Sequence, residues 1–187
     1  MSYDTAYIEE KLRRWENYLQ HFSLPDWDEL PDTGLRMVEV VPYIRRCLNY
    51  LPEGLKDERL LTAAAVNNYV RLRAMPRPKA RRYYRVHLAY LLMICTLKQS
   101  LSLAMIRRFL PCDLSEAEMR ARYDTYAARY SRLTVAFART GREIALPVLE
   151  GSSGDEAARA LVESACVVSS FSRLLAEKLV LLEEENS

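Results

Sequence analysis

The sequence predicts an all-α protein, with a small β wing as its only extended element, and three observations predict it. Only 5 of the 187 residues are glycine, too few for the turns of a sheet-rich fold. Half of the residues are apolar, and in several segments they recur at spacings near 3.6. Helix-capping residues stand where those segments begin: Thr62, Ser102, Ser115 and Ser153. A half-apolar chain of this length can bury the core of one domain, or of a small domain with a helical appendage.

The elements follow in order. Residues 4–22 form an amphipathic helix, with Tyr7, Ile8, Leu12, Trp15, Leu19 and Phe22 on one face. LPDWDELPDTG (24–34) reads as a Pro- and Asp-rich connector. A helix from about 35 to 51 is kinked near Pro42, and 51–58 is a turn. Thr62 caps the next helix, AAAVNNYVRLR, which MPRP (75–78) stops. Residues 77–85, RPKARRYYR, have no periodicity that would bury them and form a loop or a small hairpin. The helix over about 85–100 is apolar nearly all round, hence the core helix.

Ser102 caps a short helix that ends at Pro111. Ser115 with Glu118, and Ser153 with Glu156, are capping-box patterns that open two longer helices. The first carries Met119, Tyr123, Tyr126, Tyr130, Leu133 and Phe137 in a heptad seam; the second carries Leu161, Ala165, Val168, Ser172, Leu175, Leu179 and Leu182. LPVLEGSSGD (146–155) is the expected loop between them.

The charge is balanced in total and unbalanced in place. Residues 59–112 hold 11 basic side chains and no acid, leaving 16 basic against 25 acidic residues elsewhere. Even scattering would put about seven acids in that window. A polyanion partner accounts for their absence, because phosphates attract Arg and Lys and a nearby carboxylate weakens binding at every sequence. An acidic protein surface is the rival explanation.

The order helix, turn, short helix, basic loop, apolar helix is that of a winged helix-turn-helix. Residues 61–110 resemble the N-terminal domain of MerR-type transcription regulators, and are more similar still to a MerR-like domain-of-unknown-function family of Gram-positive bacteria. NNYV (67–70), RRYYRVHLAYL (81–91) and LKQSLSLAMIRRFL (97–110) carry the resemblance, and residues 24–44 share it more loosely.

The resemblance implies a recognition helix over 62–73, capped by Thr62 and lying in the major groove. It implies a phosphate-contacting role for Tyr69, and a wing containing Arg77, Lys79, Arg81, Arg82 and Tyr83. It also implies a dimer on a near-palindromic operator. The family's third helix opens with a Ser or Thr cap followed two residues on by Glu. Tyr84 and Val86 stand at those places here, and the lost cap should cost about 1 kcal/mol. Histidine is shared with the family at His87, where packing and hydrogen bonding are its expected work.

The residue types suit these roles. Asn67 and Asn68 carry paired donor and acceptor edges that can read adenine, or can bond within the turn. Arg71 and Arg73 complete the expected DNA-binding set, since a guanidinium fork can read guanine or grip phosphate. For Tyr69 the alternative is a core residue with a satisfied hydroxyl.

No catalytic motif is present, and two distant histidines offer no metal site, so neither an enzyme nor a cofactor is expected. Cys47, Cys95, Cys112 and Cys166 are scattered and read as free, mostly buried thiols. The charged N-terminal segment has no signal-like apolar stretch, which makes a cytoplasmic location the expectation. The expected division is 1–34 for the N-terminal helix and connector, 35–112 for the DNA-binding domain and 113–187 for a two-helix pairing region. The leading expectation is a transcription regulator that binds double-stranded DNA. The rivals are a protein-interaction module on the same scaffold and a sensor with a small-molecule effector pocket lined by Tyr123, Tyr126 and Tyr130.

Overall fold

The computed structural model describes residues 4–49, 60–151 and 154–185. Its elements are α1 (Thr5–His21), a single 3-10 turn (Trp27–Glu29), α2 (Met37–Cys47), α3 (Ala63–Arg71), α4 (Arg85–Leu97), α5 (Leu103–Phe109), α6 (Glu116–Gly151) and α7 (Gly154–Glu185). The described residues contain no sheet, only two isolated antiparallel bridges. The all-α reading therefore holds, and the wing shrinks to a turn. The turn expected at 51–58 and the Ser153 cap lie outside the described residues.

The chain divides into two compact units that cut across the expected boundaries. Residues 24–129, with 176–187, form one; 1–23 with 130–175 form the other. The segment 24–34 is thus part of the central unit rather than a connector. Leu24, Trp27 and Leu30 are buried in it. Trp27 packs edge-on against Tyr123 with ring centroids 6.2 Å apart, and the Tyr123 hydroxyl donates to the Pro25 carbonyl at 2.8 Å. The Asp26 amide donates to the Glu29 carboxylate at 2.8 Å, which holds the short turn closed.

The central unit is built round α4. Every residue from His87 to Thr96 is buried, as an all-round apolar helix requires. Helix α2 packs on α4 and α3, and α5 packs on α4. Val40, Ile44, Leu48, Val66 and Ile106 contribute fully buried side chains. The Ser102 cap is made, its hydroxyl accepting from the Met105 amide at 3.2 Å. So is the Ser115–Glu118 box, in which the Ser115 amide donates to Glu118 at 2.8 Å and the Glu118 amide to Ser115 at 3.3 Å.

In the other unit α1 lies with residues of α6 and α7. Ala145, Leu149 and Ala157 form a buried cluster, with Ile8, Leu12, Val148 and Leu161 against it. Trp15 meets Phe137 edge-on at 5.7 Å, and Phe22 meets Tyr130 at 6.1 Å. The described part of the expected loop over 146–155 is helical: α6 continues through Pro147 to Gly151 and α7 begins at Gly154. Burial of Ala145 and Leu149 on either side of Pro147 offsets the hydrogen bond that the ring removes, about 3 kcal/mol in an unsupported helix.

Candidate nucleic-acid interface

Helix α3 begins as expected. Thr62 is extended, and its hydroxyl accepts from the Ala65 amide at 3.0 Å. Val66 and Tyr69 face inward and are buried, while Ala63, Ala64, Asn67 and Arg71 are exposed. The outward face is therefore small and flat at its start, with an amide and a guanidinium further along. Asn68 is half-buried and accepts from the Arg71 guanidinium at 2.7 Å, which orients Arg71 along the helix.

The helix stops before the prolines, at Arg71 rather than at Arg73. The Ala74 amide bonds the Tyr69 carbonyl at 2.8 Å and the Arg73 amide bonds the Val70 carbonyl at 3.1 Å. This paired pattern is a Schellman cap, whose closing residue adopts the left-handed conformation. Arg73 holds that place at φ 53°. Glycine is the usual occupant, because a Cβ there costs on the order of 1 kcal/mol. We expect Arg73→Gly to raise the unfolding free energy by roughly 0.5–1 kcal/mol in urea titration; an unchanged or lower value would contradict the strain.

The same device recurs at the hairpin. The amide and carbonyl of Lys79 exchange bonds with those of Arg82 at 3.1 and 2.9 Å. Between them Ala80 and Arg81 stand at φ 49° and 61°. Two successive positive φ values make a type I′ turn, a geometry that Asn and Gly ordinarily supply. All three non-glycine residues of positive φ among the described residues thus lie in this basic segment. At the base, Leu35 and Tyr83 exchange both backbone bonds at 2.9 Å. The Arg82 guanidinium donates to the Gly34 carbonyl at 2.8 Å. A Cβ on Gly34 would sit 2.7 Å from the Arg82 Cβ and 2.8 Å from the Tyr84 ring, so this close approach needs glycine.

His87 ties the hairpin to α4. Its Nδ1 accepts from the Tyr84 amide at 3.0 Å, and its Nε2 lies 2.9 Å from the Arg77 carbonyl. An amide can only donate and a carbonyl can only accept, so the neutral Nε2–H tautomer satisfies both bonds. The cap missing from Tyr84 and Val86 is in part replaced here, since His87 serves the amide that a capping-box Glu would serve.

Burial lowers the His87 pKa, and the Lys79 cation adds to the effect. The folded pKa lies below the unfolded value of about 6.5, so a proton binds the unfolded chain first. The stability due to neutral His87 is present above pH 6.5 and lost as the pH falls through the folded pKa. We expect the wild-type unfolding free energy to fall over that window relative to His87→Gln. Parallel pH profiles for the two proteins would contradict this.

Other site residues sort by exposure. Arg71, Arg73, Arg77, Lys79, Arg81, Arg82, Lys98, Arg107 and Arg108 are all exposed, and Arg59 lies outside the described residues. Arg85 is half-buried and occupied: its Nε donates to the Leu30 carbonyl at 2.8 Å and it pairs with Asp32 at 3.9 Å. Two expectations need correction. Tyr69 is 2% exposed and Tyr83 3% exposed, so both are core residues in this conformation. Desolvation pushes the Tyr69 hydroxyl up to about 12. Beside it stands Lys98, its ammonium 3.4 Å from the Tyr69 hydroxyl and 5.4 Å from the ring centroid. Lys98 is 29 residues from Tyr69 in sequence, and only the tertiary fold brings the two together.

The tyrosine stripe is packed rather than open. Tyr123 is buried, and the Tyr126 hydroxyl lies 2.7 Å from that of Thr96. Cys95 is buried, Cys47 and Cys112 are half-buried, and Cys166 is exposed, so burial of the thiols is less general than expected. The described residues contain no group of three or more His, Cys, Asp or Glu placed to hold a metal. None of their helices is long and apolar enough to cross a membrane.

These features define an all-helical protein whose central unit presents a basic helix-and-turn surface. The family model of DUF1836, a domain of unknown function, matches residues 25–132. The chain belongs to the DUF1836 family. The match nearly coincides with the contiguous part of the central unit, 24–129, and takes in residues 25–34 of the 24–34 segment. No curated protein and no solved structure matches the chain.

Proposed function

We propose that the central unit binds double-stranded DNA, as the resemblance to MerR-type regulators implies, and that the protein regulates transcription. In this reading the exposed face of α3 enters the major groove. Ala63 and Ala64 allow close approach, Asn67 reads base edges, and Arg71, steered by Asn68, grips phosphate or guanine. The turn at 79–82 lies over the neighbouring backbone. Lys98 supplies the charge at the place where Tyr69 was expected to touch phosphate.

The observation that carries the reading is the pairing of charge with strain. Arg73 and Arg81 are exposed arginines in a backbone conformation that favours glycine. Strain of this kind persists where the surroundings impose it, and it clusters at functional sites. Nine exposed basic side chains come from a stretch without a single acid, and phosphate is the partner such a surface suits.

The test is binding of the purified protein to random-sequence duplex across a salt series, followed by selection of bound sequences. Steep salt dependence with an enriched motif is expected. Asn67→Ala should then change the motif while leaving the salt slope unaltered, because it removes a base contact and no charge. Salt-dependent binding without enrichment would leave only a basic surface. No binding at low salt would overturn the reading and favour an acidic protein partner.

A further inference from the structure

We infer that the cavity between α1 and α6 is a binding site for a small organic cation, an ammonium carried on an apolar body. The inference does not rest on DNA binding, and the place is not the tyrosine stripe, which is packed. Both walls belong to one compact unit, since α1 lies within residues 1–23 and the α6 wall within 130–175. The cavity holds about 260 Å³. Ligand pockets begin at roughly 300 Å³, so this one suits a small molecule. Leu12 and Trp15 line it from α1, and Ala138, Gly141, Ala145 and Leu149 from α6.

Two features of the lining point to a ligand. The first is Gly141. It lies inside α6 without a positive φ, and a Cβ there would meet nothing within 4 Å. Neither conformation nor packing requires a glycine, and glycine weakens a helix interior. What it provides here is open space. The second is Glu16. Its side chain is only 19% exposed, yet a carboxylate can accept about four hydrogen bonds. Among the described residues it has two donors, Gln20 Nε2 at 3.4 Å and Arg142 at 3.9 Å, both at Oε1. The Arg142 side chain is 65% exposed, and a long surface ion pair of this kind is readily given up. Glu9 and Arg13, the other charged lining residues, are exposed as Arg142 is. Glu16 is therefore the charge that a bound molecule meets away from water. An ammonium supplies the donors that Glu16 lacks, and Trp15 offers the same cation an aromatic face.

The test is titration of the full-length protein with phenethylammonium chloride, followed by calorimetry and by Trp fluorescence. Trp15 lines the cavity, whereas Trp27 is buried in the other unit, so a fluorescence change reports the site. Saturable binding with a Kd of about a millimolar or tighter is expected. Phenethyl alcohol, the neutral analogue, should bind at least about ten-fold more weakly, and the anion hydrocinnamate more weakly still. Glu16→Gln should weaken the ammonium at least about ten-fold and leave the alcohol within about two-fold. Gly141→Leu should fill the cavity and abolish binding of all three. It should not lower the unfolding temperature, because the site has room and leucine is the better helix former. No saturable binding of phenethylammonium, equal affinity for the three probes, or binding that survives Gly141→Leu would each overturn the inference.

Discussion

Reversing two of the three exposed charges of the hairpin turn, Lys79→Glu with Arg81→Glu, is expected to weaken duplex binding at least a hundred-fold near 100 mM salt. Each side chain projects from the two-bond turn 79–82, and both are exposed. Each lost phosphate contact removes about one counterion, so the salt slope should become shallower by about one per lost contact. The turn itself should survive, because glutamate at position 81 bears the same left-handed strain as arginine, and Tyr83 still pairs with Leu35. Unfolding temperature is therefore the control. Unchanged affinity with unchanged stability would remove the turn from the interface and leave α3 and Lys98 to account for binding.

Tyr123→Ala is the substitution expected to damage the fold most, by about 3–5 kcal/mol, on the scale of aromatic-to-alanine changes in cores. Tyr123 is fully buried on α6, its ring packs against Trp27, and its hydroxyl holds the Pro25 carbonyl. The alanine leaves a cavity and an unpaired carbonyl at once. Tyr123→Phe keeps the ring and loses only the hydrogen bond, so about 1–2 kcal/mol is expected. Urea titration followed by Trp fluorescence would measure both. A loss for Tyr123→Ala no larger than for Tyr123→Phe would mean that 24–30 does not depend on this contact.

Local signals were legible in the chain. The Thr62, Ser102 and Ser115 caps form where the residue types place them, because a hydroxyl serves an amide two or three residues away whatever the rest of the fold does. The all-round burial of α4 follows from its composition. The concentration of basic residues over 59–112 was visible by counting.

Features that depend on distant partners were not legible. Composition made 24–34 a connector, yet Trp27 is core because Tyr123, about 100 residues away, receives it, and Leu30 is buried in the same unit. Pro147 marked a loop, but buried neighbours carry the helix through it. The resemblance implied a phosphate contact for Tyr69 and a wing position for Tyr83, and packing turned both inward.

The sequence by itself determined the helical class, the caps and the acid-free basic stretch, since these rest on spacing, composition and bonds within a few residues. Only the tertiary structure decided which basic side chains stay exposed, that Lys98 stands beside Tyr69, and that Arg73, Ala80 and Arg81 take left-handed backbone without glycine. The reason is one of range: a side chain's exposure and a residue's tolerated strain are settled by contacts across the fold, and no local pattern encodes them.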